Sequence, residues 1–267
     1  DIDWDKVIER LSAKIRPRAE KLTAASDPEP PRYLVVSLFD VHMGINTYDG
    51  YRSTINRITN LMSREYSEIV IISGGDLLHE NDYREQTASG TQIGITDMTP
   101  AWEDAFDLMD TLLDAAADAA PRVTLVYVPG NHDEFSAHTV VKALRRMWSE
   151  TEAVTVDDTQ DVYKARLIGH NFIAATHGDK SSFKQYPQLF ATNHARLWGA
   201  DGVSNRELFV GHLHHERVLD TGGLLIRQAP TRAAADQWTR DQGYDTSHRR
   251  FMCVEYSERE TVAVYYV

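Results

Sequence analysis

The stretch GHLHHE, Gly211 to Glu216, places three histidines within four positions. Imidazoles at that density bind metals, move protons or simply line a solvated loop, and only partners elsewhere in the chain separate these readings. Four further segments offer such partners: DVH (Asp40, His42), GGD (Asp76), GNHD (Asn131, His132, Asp133) and HGD (His177). Carboxylate, amide oxygen and imidazole without thiolate form a donor set that suits Mn²⁺, Fe, Ni²⁺ or Zn²⁺ rather than an all-thiolate structural zinc. Each segment alone also has a bland reading. A D-x-H is commonly a solvated strand end, GNHD an Asn-containing turn, and GHLH a surface loop.

Placement decides between the two. Each of the five segments follows directly on an apolar run: YLVVSLF before DVH, EIVIIS before GGD, RVTLVYVP before GNHD, NFIAAT before HGD and ELFV before GHLH. Runs of that length and composition read as buried strands. In open α/β sheets the carboxyl ends of strands are where ligands bind, so five such endings converge on one edge. Continuing the strands in extended conformation would point residues i and i+2 the same way, so that Asp40 and His42 hold one ion together, and His212 and His214 likewise. Glycines at 75, 130 and 211 stand where the chain must turn sharply and let an ion approach its backbone.

Helical runs separate these strands. Residues 51–66, 101–120 and 137–150 carry apolar positions at helical spacing, and a further helical stretch lies near 186–198. VYKARLI and NFIAAT, joined at GHN, read as a hairpin, and the tail from Arg217 reads as strands joined by turns such as DTGG and SERE. Alternating strands and helices followed by hairpins imply an α/β fold with some antiparallel strands. Ahead of the first strand, Trp4, Val7, Ile8, Leu11 and Ile15 mark a helix over residues 3–22, kinked or ended near Pro17, and SDPEPPR is a polar, Pro-rich linker. Residues 1–28 are thus a helical extension with a linker, and 29–267 the main domain. Without an initiator Met the chain is expected to be a fragment or a processed form, and the helix would pack on the body, mediate a homodimer or lead to an upstream domain. His79 to Pro100 has little regular pattern, and an irregular segment of that length inside a compact domain is usually functional or disordered.

Composition narrows the classes. A single cysteine, Cys253, excludes an internal disulfide and fits a reducing compartment, the cytoplasm. No run of 18 apolar residues appears, so membrane spanning is not expected. The formal charge of −12 makes the chain a poor non-specific binder of nucleic acid, an effect that bound divalent cations would offset locally.

In this order, DVH, GGD, GNHD, HGD and GHLH resemble the calcineurin-like metallophosphoesterase superfamily, over residues 33 to about 232. The resemblance implies a four-layer α/β/β/α sandwich with two mixed sheets, and a centre of two divalent metal ions at one edge, with Mn as the expected metal. It implies Asp40, His42 and His214 around the first ion, Asn131, His177 and His212 around the second, and Asp76 bridging both. The implied activity is phosphodiester hydrolysis by a metal-bridging hydroxide. GGDLLHENDYREQTASGTQ and RLWGADG further resemble a phage-encoded branch similar to SbcD-type DNA-repair exonucleases, which implies a DNA or RNA nuclease working in a host cytoplasm. Only about 35 residues follow position 232, too few for the separate DNA-capping domain of full repair nucleases. The alternative is therefore a phosphatase or a cyclic-nucleotide or small-diester phosphodiesterase.

The remaining candidates follow from this frame. His132, beside Asn131, is the expected general acid for the leaving group, because imidazole titrates near neutral pH, and Asp133 would hydrogen-bond its ring. His79, Arg84 and Arg232 are candidate substrate contacts, with 79–100 as a lid. His215 would be a supporting or exposed group, and Asp179 a support for His177 or a turn cap. Lys142, Arg145 and Arg146 would form a solvated helix face or a track for a nucleic-acid backbone. His138, His170, His194 and His248 are expected at the surface.

Overall fold

The computed structural model describes residues 4–15, 29–79, 98–234 and 248–267. Strands β1 (Tyr33–Leu38), β2 (Glu68–Ser73), β3 (Val123–Tyr127) and β4 (Val154–Asp157) run parallel; β10 (Met252–Tyr256) pairs antiparallel with β1, and β11 (Thr261–Tyr266) antiparallel with β10. They make one six-stranded sheet in the order β11-β10-β1-β2-β3-β4. A second, five-stranded sheet runs β5-β6-β7-β9-β8, built from β5 (Lys164–Ile168), β6 (Asn171–Thr176), β7 (Asn205–Val210), β8 (Arg217–Thr221) and β9 (Leu224–Gln228). Here β6, β7 and β9 are parallel, while β5 and β8 are antiparallel to their neighbours.

Strand alternation sorts the apolar side chains into three cores. On β1, Leu34, Val36 and Leu38 face one way and Tyr33 and Val35 the other; on β2, Ile69 and Ile71 oppose Val70 and Ile72. The first set packs under α2 (Tyr48–Met62), α3 (Met98–Ala119) and α4 (Ser136–Met147). The second meets Ile173, Ala175 and Phe209 of the other sheet, and that sheet's far face, with Phe172, Leu208 and Ile226, packs under α5 (Tyr186–Asn193) and α6 (Ala195–Trp198). The order is helix, sheet, sheet, helix, as expected. Strands buried on both faces read as continuous apolar runs, which is why they were visible in the sequence.

Some boundaries differ from expectation. α2 starts at Tyr48 rather than 51, because the Thr47 side chain caps it by accepting from the Gly50 backbone N–H at 3.2 Å, which brings Asp49–Gly50 into the helix. α3 starts at Met98, which takes Met98–Pro100 out of the irregular segment. Strand β4 was not anticipated; only two of its four residues are apolar. α1 spans Trp4–Lys14 and lies against α3 through Arg10–Glu103 (3.0 Å) and Lys14–Asp107 (2.6 Å). Among the described residues no helix is long and apolar enough to cross a membrane.

Candidate metal centre

Registers bring the five strand ends level. Leu38 pairs with Ser73, Ser73 with Tyr127 and Thr176 with Val210, so the following residues emerge along one edge of the sandwich. Among the described residues three donor groups form there: Asp40, His42 and His214; Asp76, His177 and His212; and, sharing His42 with the first, His42, His79 and His132. In the first, His42 Nε2 lies 3.2 Å from His214 Nε2, which is 3.5 Å from Asp40 Oδ1. In the second, His177 Nε2 lies 2.9 Å from Asn131 Oδ1 and 3.3 Å from Asp76 Oδ2. The same Asp76 Oδ2 stands 4.0 Å from His42 Nε2, between the clusters.

The backbone conformation behind this is not the extended one expected. Asp40, His42, Asp76, His212 and His214 all take left-handed φ between 50° and 72°, five of the six non-glycine residues that do so among those described. That region costs a non-glycine residue on the order of 1–3 kcal/mol and gathers at functional sites. The tight turns send His212 and His214 to different clusters instead of to one ion. Close approach is required too: a Cβ on Gly130 would lie 2.1 Å from Asp76 Oδ1.

The donors are held from behind. Asp40 accepts the His212 backbone N–H at 2.9 and 3.1 Å, and its carbonyl accepts from Thr231 Oγ1 at 2.6 Å. His177 Nδ1 donates to the Gly74 carbonyl at 3.1 Å, which directs Nε2 into the cluster. Burial, with His132 beside it, pushes His42 well below its usual range, and burial together with His177 lowers His212. Both rings are therefore neutral at pH 7, the form in which an imidazole ligates a cation. Burial pushes Asp76 up and His177 down, but their mutual attraction overrides it: Asp76 is held well below the carboxylate range and His177 is raised to about 10. A proton thus sits where a cation would balance the buried carboxylate.

The chemistry of this donor set fits divalent cations. Nitrogen and oxygen donors about 2.0–2.2 Å from one ion stand roughly 3.0–3.5 Å apart, close to the 3.2 Å of His42–His214, 3.5 Å of His214–Asp40 and 3.3 Å of His177–Asp76. His132 Nδ1 is buried without a hydrogen-bond partner, an orphaned polar atom at the same edge.

The neighbouring candidates are placed as follows. The His132 ring stacks on His79 (centroids 4.8 Å) and meets His42 edge-on (5.0 Å). His79 is buried, with Nδ1 3.2 Å from His42 Nδ1. Asp133 does not hold the His132 Nδ1; its carboxylate accepts the backbone N–H groups of Asp76 (3.2 Å) and Leu78 (2.8 Å), tying two strand-end loops together. Arg232 donates to Thr54 Oγ1 and the Arg249 carbonyl, both at 3.2 Å. Arg84 lies outside the described residues, as does most of the segment expected as a lid. Lys142 and Arg145 are exposed and pair with Asp158, the solvated-face reading. Asp179 pairs with Lys180 at 3.0 Å. His138, His170 and His194 are half-buried rather than at the surface; His138 bonds the Asp158 carbonyl, His170 pairs with Glu258 and His194 bonds the Tyr163 carbonyl. Sequence reading missed Thr231 and Phe135; an apolar residue in the polar turn after GNHD was the available signal for the second.

Solved structures to which the chain is similar include Vps29 from Entamoeba histolytica complexed with Zn²⁺ (12% identity, TM-score 0.43, 88% of this chain and 97% of that one). YfcE, a phosphoesterase from E. coli, gives 11% identity and a TM-score of 0.41 over 88% of this chain and 98% of its own. An archaeal phosphodiesterase gives 11% identity and 0.41 over 88% and 99%. No curated protein sequence matches the chain. The family model described as calcineurin-like phosphoesterase matches residues 32–247, a span that contains all five strand-end segments. The chain accordingly belongs to the calcineurin-like phosphoesterase family, whose members are metal-dependent hydrolases.

Proposed function

We propose that the protein is a two-metal phosphodiesterase that cleaves DNA or RNA strands, with Asp40, His42 and His214 holding one cation, Asn131, His177 and His212 the other, and Asp76 shared. The observation that carries this reading is the position of Asp76 Oδ2, 3.3 Å from His177 Nε2 and 4.0 Å from His42 Nε2, one carboxylate oxygen between two imidazole clusters. Bound there, a divalent pair such as Mn²⁺ supplies Lewis acidity to the phosphoryl oxygens and lowers the pKa of an attacking water.

The chain's own residues supply the rest. His132 donates its backbone N–H to Asp76 Oδ1 at 2.9 Å, which fixes the ring's origin relative to the shared carboxylate. In this reading the His132 ring, stacked on His79, gives a proton to the departing alkoxide. Asp133 is a positioning residue that acts through the Asp76 and Leu78 backbone. The GGDLLHENDYREQTASGTQ segment and RLWGADG support the phage-type, exonuclease-like branch, and hence the choice of a polynucleotide over a small ester.

The test is incubation of purified protein with Mn²⁺ and end-labelled oligonucleotides, which should release short products in a metal-dependent manner. Turnover of a small phosphomonoester with the oligonucleotide left intact would replace the nuclease reading with a phosphatase one. His132→Ala should lower kcat by roughly 10²- to 10⁴-fold, the usual contribution of a positioned acid, with metal stoichiometry unchanged.

A further inference from the structure

Large apolar side chains left in water are scattered singly unless something covers them. Among the described residues four stand out: Ile45 (36% exposed), Phe135 (77%), Val218 (49%) and Val262 (57%). Three of them sit at the metal edge. Ile45 follows His42 by three positions, Phe135 follows His132 by three, and Val218 follows His214 by four. Only Val262 lies elsewhere, on the border strand β11.

Phe135 is presented by a stiff loop. Ala137 N–H donates to the Asp133 carbonyl at 3.2 Å, Tyr127 donates to the Glu134 carbonyl at 3.3 Å, and the Asp133 carboxylate is anchored on the Asp76 loop. An exposed aromatic ring on a backbone-anchored loop, three residues past the proposed leaving-group acid, has the properties of a base-stacking platform, which any nucleobase can use.

On the other flank, β10 enters the first sheet. Met252 pairs with Ser37, which places Arg250 and His248 at the carboxyl end of β1. With His215, Glu216, Arg217 and Val218 they line an open pocket of about 530 Å³, a volume typical of ligand sites. Arg250 pairs with Glu216 at 2.6 Å and covers the Tyr266 ring at 3.7 Å; Arg217 lies over Phe183 at 5.1 Å. The pocket is joined to the metal edge, since Arg250 N–H donates to the Thr231 carbonyl (3.1 Å) and Thr231 Oγ1 donates to that of Asp40 (2.6 Å). With two arginines to one carboxylate the hollow is net cationic in a chain of charge −12, suited to a phosphate. From β10 to β3 is three strand spacings, roughly 14 Å, a distance a small ester cannot span and a short strand can.

We propose that these two flanks are the ends of one binding track, in which Phe135 stacks a base next to the scissile phosphate and the Arg217/Arg250 pocket holds a neighbouring backbone phosphate of the same single strand. The track rests on the phosphoesterase reading of the metal edge and sets how a strand lies across it.

The test uses the full chain, a cleavage-resistant phosphorothioate hexathymidylate, and an abasic strand of equal length. Phe135→Trp should bind the hexathymidylate with quenched tryptophan emission, and the abasic strand should give no quench. Phe135→Leu should weaken binding about tenfold and Phe135→Tyr should restore it, the range expected for one lost stacking contact. Arg217→Ala should reduce the slope of log Kd against log salt by about 0.7, one phosphate contact on a single strand. Equal affinity of wild type and Phe135→Leu, an unchanged salt slope in Arg217→Ala, or a site that takes up protein but no strand would each overturn the track. Mn²⁺-dependent hydrolysis of bis(p-nitrophenyl) phosphate is measured alongside. Hydrolysis without strand binding rejects the track alone, whereas failure to hydrolyse any ester rejects the reading beneath it.

Discussion

Asp76 and His177 show how one pair of residues stores the site's purpose as charge. Without a cation the buried carboxylate recruits a proton onto His177, raising that imidazole to about 10. At pH 7 the proton is therefore present, and an incoming cation must displace it. Mn²⁺ binding should release about one proton from this pair, and apparent affinity should weaken about tenfold for each pH unit lowered between 8 and 7. Calorimetry in two buffers of different ionisation enthalpy measures the release directly; heats independent of the buffer would show that no proton is displaced. The neighbouring His42 and His212, pushed down by burial, add no such release, because they are already neutral. Residue types and order made the ligand candidates legible in the sequence. The left-handed backbone at five of them was not, because any residue but glycine adopts that region rarely and it is the packed loops that hold these five there. Expecting an extended chain put His212 and His214 on one ion; the turn at His212 separates them.

Elements position these residues through close backbone contact as much as through side chains. Between β3 and the GNHD turn, Gly130 leaves no room for a Cβ: the nearest atoms would be Asp76 Oδ1 at 2.1 Å and Asp76 N at 2.2 Å. Gly130→Ala should displace the Asp76 loop, lowering metal affinity at least tenfold while far-UV circular dichroism stays native. Wild-type affinity in this variant would mean that the approach is not needed. Strand and helix existence was readable because apolar runs buried on both faces and helical stripes are strong patterns. β4 escaped, since a border strand of the parallel set with only two apolar residues carries too little signal. The start of α2 escaped because Asp49–Gly50 looks like a turn until the Thr47 cap is seen.

At the scale of the whole molecule, the two sheets must stay in fixed relation for donors from both to meet. A buried network does this between them. Glu207 of β7 accepts from Arg227 Nε at 2.6 Å in its own sheet, and from Tyr256 Oη at 2.9 Å and from Thr261 Oγ1 in the other. Glu207→Ala leaves Arg227 buried without its counter-charge and should cost about 3–5 kcal/mol of unfolding free energy in urea titration. A loss below about 1 kcal/mol would mean that the sheets are registered by apolar packing alone. None of this network was visible beforehand, since its members lie 20 to 54 positions from Glu207 in the chain.

What matters most is whether seven side chains from five strand ends grip two neighbouring cations. Anomalous diffraction from a crystal soaked in Mn²⁺ reads that directly. Two peaks should appear, one among Asp40, His42 and His214 and one among Asn131, His177 and His212, with Asp76 in contact with both. No peak at this edge, or one ion bound with Asp76 turned away, would contradict the account.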